Sequence, residues 1–110
     1  MSQPGFTTVY MVFLHKGPNY PTRVTPESER LQEAHLAYLR SLRQSGRLII
    51  VGPVQDNGDL RGMGVYRVDS LEEARSLAEA DPAVKAGEFT VEVHPWMVEQ
   101  ATLVENRQLG

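Results

Sequence analysis

Residues 25–42 read TPESERLQEAHLAYLRSL, and this stretch decides how the rest of the chain is organised. Thr25 can cap a helix start with its hydroxyl, and Pro26 suits the first helical position, where no amide hydrogen is needed. Glu27 and Glu29 then lie at the positive end of the helix dipole. Leu31, His35, Tyr38 and Leu42 follow at spacings of four, three and four and share one side, with Ala34 and Leu39 widening the stripe. An ionisable ring therefore takes a core position. On this pattern alone the plainer role is favoured, an interior histidine donating to a backbone carbonyl. A functional role requires a second group beside it.

Working outward, Val9 to Leu14 precedes the helix and is apolar on both sides, Val9, Met11 and Phe13 alternating with Tyr10, Val12 and Leu14. Such a strand is expected to be covered on both faces and central in its sheet. The intervening loop, His15 to Val24, holds Gly17, Pro18, Asn19 and Pro21, a length suited to a pocket wall from which Lys16, Tyr20 and Arg23 could reach a ligand. After the helix, Ser45 and Gly46 are a stop, and Leu48 to Val51 is a second strand ended by Gly52 and Pro53. Asp56-Asn57-Gly58-Asp59 predicts a hairpin turn into a third strand, Gly62 to Val68. Gly62 and Gly64 there leave room for close backbone approach.

Ser70 and Glu73 read as a capping box opening a second helix with the inward stripe Leu71, Ala74, Leu77 and Ala78. Asp81-Pro82 ends that helix and can cap a short turn running to Gly87. Phe89 to Val93 is a fourth strand whose alternation suggests an edge position or one wetter face. Met1 to Thr8 is an N-terminal arm, residues 9–96 form one domain closed by Pro95 and Trp96, and residues 97–110 are a C-terminal extension in which Met97, Ala101 and Val104 could form a weak helical stripe.

The order strand, helix, strand, strand, helix, strand predicts a ferredoxin-like α+β domain, βαββαβ, with an antiparallel sheet and strands one and three central. Two helices cover one face. The other is apolar along strands one and two, so a two-fold homodimer with sheets face to face is expected.

A chain of 110 residues suits one domain, and 41% hydrophobic with 23% charged residues is the balance of a folded globular protein rather than a disordered one. The net charge of -3 without a basic block argues against nucleic acid and against an anionic membrane surface. No cysteine is present, which excludes disulfides, thiol catalysis and thiolate metal sites. No leader-like or membrane-length apolar run is seen, so a cytoplasmic address is the expectation. His15, His35 and His94 lack the close spacing of helical zinc motifs, and no metal or other cofactor is expected.

In local pattern and order, the chain from Val9 to Trp96 resembles the YciI-like (YCII-related) family of the dimeric α/β barrel superfamily. The resemblance is carried by His35-Leu36-Ala37-Tyr38-Leu39, Gly46-Arg47-Leu48, Val51-Gly52-Pro53, Gly62-Met63-Gly64, Ser70-Leu71-Glu72-Glu73-Ala74, Asp81-Pro82 and His94-Pro95-Trp96. It implies a ferredoxin-like subunit, a dimer, and a cleft with a histidine and an aspartate as an active-site pair. Here these are His35 and Asp81. Likeness to dehydrochlorinase and muconolactone-isomerase-like relatives implies proton transfer on small oxygenated rings. The Lys16 to Val24 loop and the tail after Trp96 depart from the shortest members and could reshape a pocket.

Chemically, a carboxylate beside an imidazole fixes its tautomer and stabilises its charged form. His35 would then exchange a proton with a small organic substrate while Asp81 orients it. Tyr38, Gly52, Pro53 and Trp96 are candidate substrate-binding residues. For Asp81 the simple cap role stands beside the catalytic one, and the two can coexist. The expected function is cofactor-independent proton transfer, elimination or hydrolysis. The alternative is a noncatalytic ligand-binding or regulatory dimeric module.

Overall fold

The computed structural model of the chain describes residues 4–103. Its elements run β1 (Phe6–Lys16), α1 (Pro26–Gln44), β2 (Leu48–Pro53), β3 (Leu60–Tyr66), α2 (Leu71–Glu79), α3 (Pro82–Lys85), β4 (Phe89–Glu99) and a 3-10 turn (Gln100–Leu103). The strands form one antiparallel sheet in the order β2-β3-β1-β4, which puts β1 and β3 in the centre and gives the ferredoxin-like α+β fold.

Local chemistry explains the helix boundaries. Thr25 and Ser28 form a reciprocal capping box, the Ser28 amide donating to Thr25 Oγ1 at 3.1 Å and the Thr25 amide to Ser28 Oγ at 2.8 Å. In α2, Ser70 Oγ accepts from the Glu73 amide at 3.0 Å, but the Glu73 carboxylate turns back to the amide of Asp69 rather than to that of Ser70. Along α1 the inward side holds His35 and Leu42 buried and Leu31, Tyr38 and Leu39 partly buried, whereas Ala34 is exposed. The apolar stripe is therefore narrower than the periodicity suggests.

Between helices and sheet lies the main core: Tyr10, Val12, Leu42, Leu48, Tyr66, Ala74, Ala78 and Val93. Leu71, expected in the inward stripe of α2, opens that helix and is 37% exposed. On the other face of the sheet, Val9, Val65 and Val98 pack with Ile49 and Leu103.

Strand ends differ from those the turn residues suggest: β3 starts at Leu60 and stops at Tyr66, short of Val68, and β2 runs through Gly52 and Pro53. Pro95 and Trp96 do not close β4 but pair with Tyr10 and Val9, and pairing continues to Glu99 opposite Phe6. Proline is tolerated there because β4 is an edge strand, so its missing amide leaves no neighbour unbonded. Phe6 to Thr8 thus belong to β1, and Met97 to Glu99 to β4. The 3-10 turn that follows includes Ala101, while Val104 lies outside the described residues. Among the described residues, no helix is long and apolar enough to cross a membrane.

Candidate active site

Two helix features create the buried polar pair. α1 carries His35 on its inward side, and Asp81, forced out of helical geometry by Pro82, caps α3. Asp81 Oδ1 accepts from the Ala83 amide at 2.9 Å, and Oδ2 lies 2.7 Å from His35 Nδ1. The residues are 7% and 2% exposed. An ionised carboxylate only accepts, so Nδ1 must carry the hydrogen in this contact. In the neutral ring, Nε2 then holds the free lone pair. No hydrogen bond from the described residues occupies it, and it is not sealed from solvent.

Around the pair, aromatic and acidic groups form a floor. The Phe89 ring stands 5.6 Å from that of His35, and Tyr20 is 6.0 Å beyond Phe89, with Lys16 Nζ 5.3 Å over the Tyr20 ring. Glu88, which precedes Phe89, is only 7% exposed. Its main chain is held on both sides, the amide donating to the Ala83 carbonyl at 3.0 Å and the carbonyl accepting from the Gly17 amide at 2.8 Å.

Two glycines allow this lacing. A β-carbon at Gly17 would run into the Gly87 carbonyl. Gly87 has φ 80, and a β-carbon there would come within 2.7 Å of Asn19 Nδ2.

Burial pushes the Glu88 carboxyl above the ordinary carboxylate value; the His35 charge opposes the rise and the Asp81 charge adds to it. Burial likewise raises the Tyr38 phenol, helped by Asp81 and opposed by Arg47, and raises Tyr66 further, helped by Asp81 and then Tyr38.

A cleft of about 680 Å³ opens beside this floor. Its walls are the loop after β1, the α1 face bearing Ser28 and Gln32, and the β2–β3 hairpin, with Glu88 and Phe89 at the edge nearest His35. Arg61 braces the hairpin, its guanidinium donating to the carbonyls of Val54 and Asp56. Pro53 lines the cleft, as do Tyr20 and Arg23.

The other candidates lie elsewhere. Tyr38 donates its hydroxyl to the Leu77 carbonyl at 2.8 Å and packs on the core. Gly52 is on the edge strand one residue before the cleft wall, and Trp96 points to the opposite face of the sheet, where it borders a second hollow with Ile50 and Met97. His35 and Asp81 stand behind Glu88 and Phe89 rather than on the wall. Glu88 and Phe89 are the site residues that sequence reasoning missed; a carboxylate between Gly87 and an apolar strand was the available signal.

The remaining histidines form a separate network on the open face. His15 Nδ1 lies 2.8 Å from Asp59 and its Nε2 2.8 Å from Glu92, whose other oxygen is 2.7 Å from His94 Nε2. Hydrogen bonding to Glu92, then to Asp59, raises His15 above its usual value against some desolvation, and the bonds to His94 and His15 lower Glu92. Among the described residues, no three histidine or carboxylate side chains are grouped to hold a metal ion.

Comparison with known proteins places this geometry in a context. The YCII-related domain matches residues 8–97. The YjpA protein of Bacillus subtilis strain 168 is 31% identical over 81 residues, covering 70% of this chain and 93% of that protein. The YciI protein of Escherichia coli is 37% identical over 75 residues, covering 60% of this chain and 76% of that protein. Among solved structures, the 5-chloro-2-hydroxyhydroquinone dehydrochlorinase of Burkholderia phenoliruptrix AC1100, in complex with 2,5-dihydroxybenzoquinone, is similar with TM-score 0.59 and 26% identity, covering 80% of this chain and 92% of that one.

Proposed function

We propose, from the premise that this chain belongs to the YCII-related family, that it is a small-molecule enzyme using His35 and Asp81 for proton transfer, elimination or hydrolysis. The observation that carries this reading is the 2.7 Å contact between His35 Nδ1 and an aspartate whose second oxygen is already committed to a helix cap. Such an aspartate cannot swing away, so the imidazole is held in one tautomer with Nε2 available as base, and the imidazolium formed on protonation is stabilised in place. The similar dehydrochlorinase, by its name, removes hydrogen chloride from a chlorinated hydroquinone. That chemistry needs a base near a small oxygenated ring, which the pair beside the cleft supplies.

The working unit in this reading is a homodimer. Ile50 is 65% exposed, Met63 40% and Trp96 45%, an apolar surface on one side of the sheet that a second copy would cover.

One observation favours the second reading, a noncatalytic ligand-binding module: His35 is nearly buried and off the cleft wall. A metabolite library separates the two. Compounds that raise the unfolding temperature are incubated with the protein and followed by mass spectrometry. Conversion by wild type and not by His35→Gln supports the enzyme; stabilisation by the same compounds without conversion supports the module.

A further inference from the structure

Glu88 is a carboxyl that the fold keeps for no structural purpose of its own. It is 7% exposed, caps no helix, and its carboxyl has no hydrogen-bond or ion-pair partner among the described residues. Every other strongly buried polar side chain of the pair region is committed: Asp81 to Ala83 and His35, His35 to Asp81. The carboxyl oxygens of Glu88 are not sealed from solvent and face the cleft that the residue lines, so the group is partly desolvated and free to meet a ligand there. Its main chain, by contrast, is pinned at both amide and carbonyl. The backbone that carries the side chain is therefore fixed at an edge of the cleft that Phe89 shares with His35.

We propose that Glu88 is a second acid–base residue of this cleft, a carboxylic acid that donates to the oxygen of a small cyclic ketone while His35 Nε2 takes a proton from the adjacent carbon. This inference rests on the reading of His35 as the proton-transfer group. The step balances within the site. The C–H bond breaks toward Nε2, its electron pair becomes the carbon–carbon double bond, and the carbonyl π pair takes the proton of Glu88. The products are an enol, an imidazolium at His35 and a carboxylate at Glu88.

The electrostatics run in the needed direction. Burial shifts the Glu88 carboxyl toward its protonated form, and a charged His35 favours its ionised form, so proton gain at one group assists proton loss at the other. The charged groups facing Glu88 are His35 from α1 and Asp81 from the cap of α3; Arg23, Glu29, Asp56 and Arg61 complete the cleft. Asp81 repels a carboxylate at Glu88, which also favours the acid at rest.

The experiment uses the full chain and cyclohexane-1,4-dione in deuterated water, with loss of the ring proton signal followed by NMR. Wild type is expected to accelerate exchange, His35→Gln to abolish the acceleration, and Glu88→Gln to reduce it by about a hundredfold. The amide of Glu88→Gln still donates to the oxygen without releasing a proton, so the dissociation constant of the dione is expected to stay within about twofold, as for a step lost only in the transition state. Exchange by Glu88→Gln at the wild-type rate, with His35→Gln inactive, overturns the role of Glu88 and leaves that of His35 intact. No acceleration by wild type overturns the proton-transfer reading together with the substrate class.

A second measurement needs no turnover. The carboxyl carbon of Glu88, assigned in labelled protein by its absence from Glu88→Gln, is expected to titrate above the ordinary glutamate range. Titration within that range overturns the proposal.

Discussion

Histidine–carboxylate contacts of nearly equal length lie on opposite sides of one sheet, and the two sides differ in everything except that length. His35 meets Asp81 at 2.7 Å under α1, with 9% and 3% of the side chains exposed. On the open side, His15 meets Asp59 and Glu92 at 2.8 Å each, with 29%, 68% and 50% exposed. Water and salt screen the second set, and its side chains lose rotamer freedom to hold their positions, so it contributes little to stability. In the first, the carboxylate is anchored by a cap, and breaking the contact strands a polar group out of water. Distance alone does not rank the two; burial and the second bond of Asp81 do.

The largest expected effect follows from that ranking. Asp81→Ala removes both the cap on α3 and the partner of His35, and about 3 kcal/mol of stability should be lost in urea denaturation at neutral pH. Asp81→Asn keeps an acceptor for the Ala83 amide and should lose less. Its amide can also present hydrogens to Nδ1, so the neutral ring should move toward the tautomer protonated at Nε2, which nitrogen chemical shifts report. A loss below about 1 kcal/mol for Asp81→Ala would put the buried contact in the class of surface pairs and erase the contrast.

The open side can be tested through association. Met63→Asp places a charge in the apolar patch without disturbing the core, Met63 being 40% exposed. If a second copy covers this face, sedimentation at micromolar concentration should show a dimer for wild type and a monomer for the variant, both folded by circular dichroism. A monomer in both cases would remove the homodimer.

How much of this was legible depended on whether a feature is written locally. The elements were, because Thr25-Pro26, Ser70 and the Asn57-Gly58 turn are local signals and the strands carry their own alternation. So was the inward position of His35, a matter of helical period. Strand ends were not: nothing within four residues of Pro95 announces that Tyr10 pairs with it on an edge, where proline is harmless. The side of the sheet reached by Trp96 depends on the same pairing. The cleft was least legible, since Glu88, Phe89 and Tyr20 meet only when Gly17 and Asn19 lace the loop after β1 to the segment entering β4. The nearness of His35 to Asp81 came from family resemblance, not from spacing, for 46 residues separate them.

Glu88 sits on the buried side of the contrast and offers an intermediate effect. Its carboxyl titrates above 4.5 in the fold, so near that pH the folded protein holds a proton that the unfolded chain has released. Stability should therefore fall as pH rises from the ordinary carboxylate value through the raised one. Glu88→Gln should lack this fall: the two proteins should be similar in acid and diverge, with the variant more stable, once the window is passed. Parallel curves across that window would mean that Glu88 is as well solvated as the carboxylates of the open face.

The smallest expected effect is on His15, where stability again falls as pH rises but the substitution lowers stability instead of raising it. Its value is raised above 6.5 by hydrogen bonds to Glu92 and Asp59. Its stabilising contribution should thus be fully present below 6.5 and be lost as pH rises through the raised value. Because both partners are exposed, His15→Gln should lower stability in mild acid by only a few tenths of a kcal/mol, and high salt should erase even that. The same salt should leave the loss in Asp81→Ala nearly unchanged. Salt sensitivity is then the quantity that separates the two sides of the sheet, and equal sensitivity in both variants would show that His35 and Asp81 are reached by solvent as freely as the network across from them.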